Sequence, residues 1–333
     1  MRKVTVAITG FGGVGSRLAT ELLARANRYR ELYATEVRLV GVCGSTAGIV
    51  RPGGLEPGDL ASRECWIDGL TGESFSEAAP ADVLIEVGPS DYETGGPGLG
   101  YLRATIARGA DVIAVSKSAL ALHGAELLEA ARVSGSRVLA SGASAAGLPV
   151  VDFLTHDLAG AEVTRVEAVL TGTAAFVLDT VMRSEQTVDE AVAEAVRRGT
   201  AEPDPSFDLD GWDTAAKLVV IAGMAFEEWI DLADVPRASV RSVTRGDVLR
   251  WREAGEKPAL VGVLERNASG LEARVEIRAY PAAHPYASAS GSTKALFIES
   301  EPFGSYSLIG GASSPDATVA AALKDLEHLL ARR

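Results

Sequence analysis

Residues 4–9 form a short apolar run that ends at a glycine, and they read as a buried strand. A helix-compatible stretch follows from residue 13 to about residue 28. Further strand-like runs occur at 37–43, 83–87 and 112–115, with helical stretches at 100–108 and 119–133 between them. Strand–helix alternation with continuously apolar strands predicts a parallel sheet covered on both faces. Loop-forming residues cluster at 51–58 and 90–100.

The pattern changes after Gly147-Leu148-Pro149. Helical periodicity dominates 148–158, 174–184, 187–199 and 211–226, and strand-like runs then fall at 259–266, 271–279, 294–300 and 305–310. Residues 315–330 form an amphipathic helix with Val319, Leu323, Leu326 and Leu330 along one face. The expected fold class is α/β: a Rossmann-type parallel-sheet domain plus an α+β domain of helices and antiparallel strands. There is no internal repeat.

A length of 333 residues favours two domains, and 47% hydrophobic with 23% charged residues is the composition of an ordinary globular protein. The opening MRKVTVAITGFGG passes directly into a strand and lacks the apolar stretch of a signal peptide, so a cytoplasmic location is expected. No apolar run is long enough to span a bilayer. Cys43 and Cys65 are the only cysteines, and the four histidines show no ligand spacing, so no metal is expected. A net charge of −13 disfavours nucleic acid and anionic membrane as partners. A small-molecule substrate is the remaining class.

Gly10-Phe11-Gly12-Gly13-Val14-Gly15 is a G-x-G-x-x-G sequence placed between a buried-type strand and a helix, the context of a dinucleotide site. The first glycine permits the turn, the second clears space for the pyrophosphate, and the third lets helix and strand approach. Helix-start amides then face the phosphates. After the second strand the chain offers Gly44-Ser45-Thr46 and, beyond them, Arg51, with no carboxylate for the ribose hydroxyls. That favours a 2′-phosphate, and so NADP over NAD.

The stretch from Glu202 to Lys217 is rich in acidic residues. Ser206, Asp208, Asp210 and Gly211 match the first positions of a calcium loop, but the twelfth is Lys217 where a bidentate glutamate is required. Asp213 and Lys217 are four apart at the start of a helix and share a face. Two readings stay open: an exposed ion pair worth about 0.3–0.5 kcal/mol, or a partly buried acid–base lysine at the edge of Leu218-Val219-Val220-Ile221-Ala222.

The chain resembles the homoserine dehydrogenase family in its short form, without a C-terminal regulatory domain. The resemblance runs over nearly the whole length. It rests on Gly10 to Gly15, Thr94-Gly95-Gly96-Pro97, Ser116-Lys117, Gly147-Leu148-Pro149 and Gly172-Thr173. Above all it rests on Glu202-x-Asp204-Pro205 followed by Asp208-x-x-Gly211-x-Asp213-x-x-x-Lys217. It implies reduction of aspartate semialdehyde to homoserine with NADPH or NADH. It also implies a dinucleotide-binding domain over 1–148, with 312–333 packing back onto it, and a catalytic and dimerisation domain over 149–311.

By this resemblance Lys217 and Lys117 sit at the reacting oxygen and Asp213 orients Lys217. Glu202 and Asp208 hold the substrate ammonium, directly or through water, and Thr173 lines the same pocket. The expected coenzyme contacts are Gly10, Gly12, Gly13, Val14, Gly15, Ser45, Thr46, Arg51, Ser90 and Ser116. A homodimer is implied. The chain departs from the family where Gly172-Thr173-Ala174-Ala175 ends in alanine rather than asparagine. It departs again where Ser141 replaces a glutamate and Ser116 an asparagine. These changes put a monovalent-cation site in doubt. Competing readings are a relative acting on another small aldehyde or alcohol, and an inactive dinucleotide-binding protein. The joint presence of Glu202, Asp208, Asp213 and Lys217 speaks against the second.

Overall fold

Seven strands build the first sheet: β1 (Arg2–Thr9), β2 (Thr35–Cys43), β3 (Ala47–Val50), β4 (Ile67–Asp68), β5 (Val83–Glu86), β6 (Asp111–Ala114) and β7 (Val138–Leu139). Their spatial order is β4-β3-β2-β1-β5-β6-β7 in this computed structural model, which describes residues 1–288 and 293–331. Residues 289–292 and 332–333, inside the domain spans expected from sequence, lie outside the described residues. The chain divides into two units, Met1–Ala146 with Ser314–Arg333, and Gly147–Ser313.

In the first unit β2, β1, β5, β6 and β7 are parallel, while at one edge β3 is antiparallel to β2 and β4 antiparallel to β3. The expected parallel sheet is present, with an antiparallel extension at one edge. The reversal arises because only Gly44-Ser45-Thr46 link β2 to β3, with the Gly44 N–H bonded to the Ala47 carbonyl at 2.8 Å. Three residues close a hairpin and cannot make a parallel crossover. Val4, Val6 and Ile8 of β1 pack with Leu18 and Leu22 of helix Gly13–Ala24 and with Val319, Leu323 and Leu326 of helix Pro315–Ala331. The terminal helix therefore completes the core of this unit. Ion pairs Arg17–Asp316 (2.6 Å) and Arg28–Glu327 (2.8 Å) lie along its rim.

The second unit is built on an antiparallel sheet of β8 (Glu162–Val169), β9 (Glu256–Asn267), β10 (Gly270–Pro281), β11 (Lys294–Glu301) and β12 (Gly304–Gly310), ordered β10-β9-β8-β11-β12. Helix Trp212–Phe226 lies on one face. A Cβ at Gly262 would stand 2.9 Å from Leu218 and Thr214, so only glycine lets that helix lie so close to β9. Central β8 falls between the helices expected at 148–158 and 174–184, where no strand was expected. Its run is interrupted by Arg165 and Glu167, which pair with each other at 2.5 Å, and Arg165 also pairs with Glu265 at 2.6 Å. The charges are neutralised across strands, and this hides the alternation of a half-buried strand. Helix Arg245–Ala254, opened by a Thr244–Asp247 capping box, was likewise not anticipated, because half of its residues are charged. Among the described residues no helix is long and apolar enough to cross a membrane.

Candidate active site

β1 has β2 on one side and β5 on the other, so the carboxyl ends of β1 and β5 flank the crevice where an open α/β sheet binds ligands. The four glycines there divide into two pairs. Gly10 has φ +89°, and a Cβ on it would lie 2.5 Å from the Val87 backbone; a Cβ on Gly15 would lie 1.8 Å from the Gly10 carbonyl oxygen. These two make the turn and the close helix–strand approach. A Cβ on Gly12 or Gly13 would meet nothing within 4 Å, so these two border open space. Helix Gly13–Ala24 begins there with no side-chain cap and no acidic residue in its first turn. Its first amides are left for an anion, which fits the pyrophosphate of a dinucleotide. Val14 is half-buried on the helix.

Ser45 and Thr46 are exposed on the β2–β3 turn. Arg51 is not beside them. Its N–H bonds the Val40 carbonyl at 2.8 Å, which sets it level with Val40, three residues and about 10 Å back from the end of β2. Its Nε donates to Asp59 at 2.8 Å.

Ser90, Ser116 and Lys117 come together at the ends of β5 and β6. The Lys117 N–H donates to Ser90 Oγ at 3.2 Å, and the Ser116 hydroxyl donates to Glu86. Glu86 also accepts the Gly88 N–H at 2.5 Å and is fully buried. Burial pushes its carboxyl above the usual range, while the bonds from Ser116 and Gly88 pull the other way. Sequence reasoning missed Glu86, although a carboxylate ending the apolar run Val83-Leu84-Ile85 was a visible signal. With a raised folded value, the stability tied to the neutral carboxyl is complete below the ordinary glutamate range and is lost as pH rises through the folded value. Glu86→Gln keeps the shape and cannot ionise. Its melting temperature relative to wild type should rise with pH between acid and mildly alkaline buffer. A pH-independent difference would show that Glu86 is not held neutral.

In the second unit a cavity of about 490 Å³ is lined by Leu170, Thr173, Asp208, Asp213, Lys217 and Ser313, among others. Gly211, at φ +78°, turns the chain into helix Trp212–Phe226 and places Asp213 in its first turn and Lys217 one turn on. Lys217 Nζ donates to Asp213 Oδ2 at 2.5 Å and to the Leu170 carbonyl at 3.0 Å. Thr171 Oγ1 reaches the same Asp213 oxygen at 3.2 Å and Thr214 Oγ1 at 2.9 Å. The Lys217 and Asp213 side chains are only 13% and 11% exposed, which removes the reading of a solvated surface pair. Thr173 Oγ1 donates to Asp208 Oδ2 at 2.5 Å. Glu202 is exposed and does not line the cavity. Thr171 and the Leu170 carbonyl escaped sequence reasoning because nothing in their spacing ties them to a helix more than forty residues away.

The family model described as homoserine dehydrogenase matches residues 149–326, and that described as homoserine dehydrogenase, NAD binding domain, matches residues 10–141. The chain belongs to the homoserine dehydrogenase family. It is an oxidoreductase that acts on a CH–OH donor with a nicotinamide dinucleotide. An NAD(+)-dependent homoserine dehydrogenase of Pseudomonas canavaninivorans is 30% identical over 99% of this chain and 97% of its own length. The homoserine dehydrogenase of Corynebacterium glutamicum is 28% identical over 97% of this chain and 71% of its own. A structure assigned as a homoserine dehydrogenase of Archaeoglobus fulgidus superposes with a TM-score of 0.87 at 26% identity, covering 98% and 99% of the two chains. A hyperthermophilic archaeal homoserine dehydrogenase in complex with NADPH shares the fold at a TM-score of 0.83 and 22% identity, over 99% and 98%.

One departure from other homoserine dehydrogenases has a local explanation. Ser141 donates through its N–H (2.9 Å) and hydroxyl (2.6 Å) to Asp325, which is 1% exposed on helix Pro315–Ala331. The serine thus satisfies a buried carboxylate of the terminal helix. Ala175 is half-buried on helix Gly172–Arg183 and does not line the cavity.

Proposed function

We propose that the chain interconverts L-homoserine and L-aspartate 4-semialdehyde, with Lys217 moving the proton at the reacting oxygen. The observation that carries this is the largely buried Lys217–Asp213 pair on the wall of the cavity. An ammonium has three donors, and Asp213 and the Leu170 carbonyl take two of Lys217's. The third serves the substrate oxygen. The bound coenzyme supplies or accepts the hydride. During reduction, negative charge develops on the aldehyde oxygen and Lys217 gives it a proton. During oxidation the neutral lysine takes the hydroxyl proton. Asp213, itself held by Thr171, keeps Nζ in place.

Both substrates carry an α-ammonium, and Asp208, set by Thr173, is the cavity carboxylate suited to it. Glu202, being exposed, acts through water. Lys117, at the end of β6, is assigned the second positive charge by family resemblance. NADP is the proposed coenzyme and NAD the alternative: Gly44-Ser45-Thr46 offers hydroxyls and no carboxylate. A homodimer is proposed on family resemblance. A solution mass of one chain would exclude it.

The test is oxidation of L-homoserine by purified protein with NADP⁺ or NAD⁺ at alkaline pH. Asp208→Asn should raise KM for homoserine by about tenfold or more and leave coenzyme affinity unchanged. Absence of homoserine oxidation with either coenzyme, in folded protein, would transfer the assignment to another small aldehyde or alcohol.

A further inference from the structure

We propose that Arg63 reads the coenzyme's 2′-phosphate, held in place by a stack on Trp66 and Phe11. The inference rests on the NADP reading above and deepens it. Phe11 belongs to the glycine turn, and a Cβ at Gly44 would stand 4.0 Å from its Cβ, so Phe11 borders the end of β2. Its ring lies 4.9 Å from that of Trp66, tilted at 58°. Trp66 is 9% exposed and is fixed by its indole N–H, which donates to the Asp59 carbonyl at 3.2 Å.

Above this platform sits the Arg63 guanidinium, 4.7 Å from the Trp66 ring centre and 5.9 Å from that of Phe11. The Trp66 N–H bonds the Arg63 carbonyl at 3.1 Å, and this tight turn carries the arginine back over the indole.

The chemistry follows from that placement. A guanidinium stacked on an aromatic face keeps its N–H donors at the rim, where they can grip a phosphate monoester through two bonds. The stack also holds the side chain in one region before any ligand arrives, which lowers the entropy cost of binding. In a dinucleotide fold the adenosine ribose lies between the pyrophosphate at the glycine turn and the end of β2. Phe11 belongs to the first of these and touches the second. Arg63 is exposed, and among the described residues no carboxylate lies within ion-pair distance of it. Arg51 differs on both counts, being paired with Asp59 and set back along β2.

The experiment is calorimetric titration of wild-type, Arg63→Ala, Arg63→Lys and Arg51→Ala proteins with NADP⁺, NAD⁺ and 2′,5′-ADP, with tryptophan fluorescence as a second binding readout. Arg63→Ala should weaken NADP⁺ and 2′,5′-ADP by about tenfold or more and leave NAD⁺ within twofold. Arg63→Lys should recover part of the loss, and Arg51→Ala should change neither coenzyme. If wild type binds NADP⁺ no more tightly than NAD⁺, the NADP reading falls and this inference with it. If wild type prefers NADP⁺ and Arg63→Ala keeps that preference, the inference alone is overturned.

Discussion

Replacing Lys217 with methionine should lower turnover by at least about a hundredfold, or roughly 3 kcal/mol of barrier, with coenzyme affinity unchanged. Methionine keeps most of the side-chain volume and removes the ammonium. A surface helix pair at this spacing would contribute only about 0.3–0.5 kcal/mol, and to stability rather than rate. The pair is instead largely buried, so the single variant leaves Asp213 without its main counter-charge and should also lose stability. Lys217→Met/Asp213→Asn removes both charges and should recover much of that stability without recovering turnover. Its rate loss should fall well short of the sum of the singles, because the two side chains act as one unit. Single-turnover hydride transfer, melting temperature and coenzyme titration together separate these effects. A folded Lys217→Met enzyme that keeps most of its turnover would remove Lys217 as the proton carrier and leave Lys117 as the candidate.

Gly12→Val should fold like wild type and bind coenzyme at least about a hundredfold more weakly. Gly12 has φ −90° and ψ −156°, an extended conformation open to any residue, and its Cβ position faces empty space. A branched side chain there stands in front of the uncapped amides of helix Gly13–Ala24, where the pyrophosphate is to lie. Gly15→Ala provides the contrast. Its methyl would press on the Gly10 carbonyl at 1.8 Å and should cost about 1–3 kcal/mol or more of stability. Calorimetry and thermal melts read the two outcomes apart. Unchanged affinity in folded Gly12→Val would place the phosphates elsewhere.

Much of the first unit was legible in the chain. β1, the glycine turn and its helix are encoded within about twenty consecutive residues, and the terminal helix shows its apolar face by periodicity alone. The Asp213–Lys217 pairing was also legible, because four-residue spacing on a helix places both side chains on one face. What spacing could not tell was their exposure, and exposure is what separates a surface ion pair from an acid–base group. That depended on the segment after β8, where the Leu170 carbonyl and Thr171 meet Lys217 and Asp213.

The sequence by itself determined the dinucleotide turn, the alternation of the first unit, the antiparallel character of β9 to β12 and the helix that bears Asp213 and Lys217. All of these follow from backbone sterics and periodicities that act within a few residues. Only the tertiary structure decided that β8 is a strand, since its charges are answered by Glu265 and Arg278 on other strands. It alone decided that Thr171 and the Leu170 carbonyl hold Asp213 and Lys217, and that Ser141 answers Asp325 across 184 residues. It also set Arg51 against Asp59 while placing Arg63 over Trp66. Each of these is a choice of partner for a charge or a hydrogen-bonding group. Such a group takes whichever partner the packed chain brings within about 3 Å, and that choice is made by burial and topology rather than by neighbours in sequence.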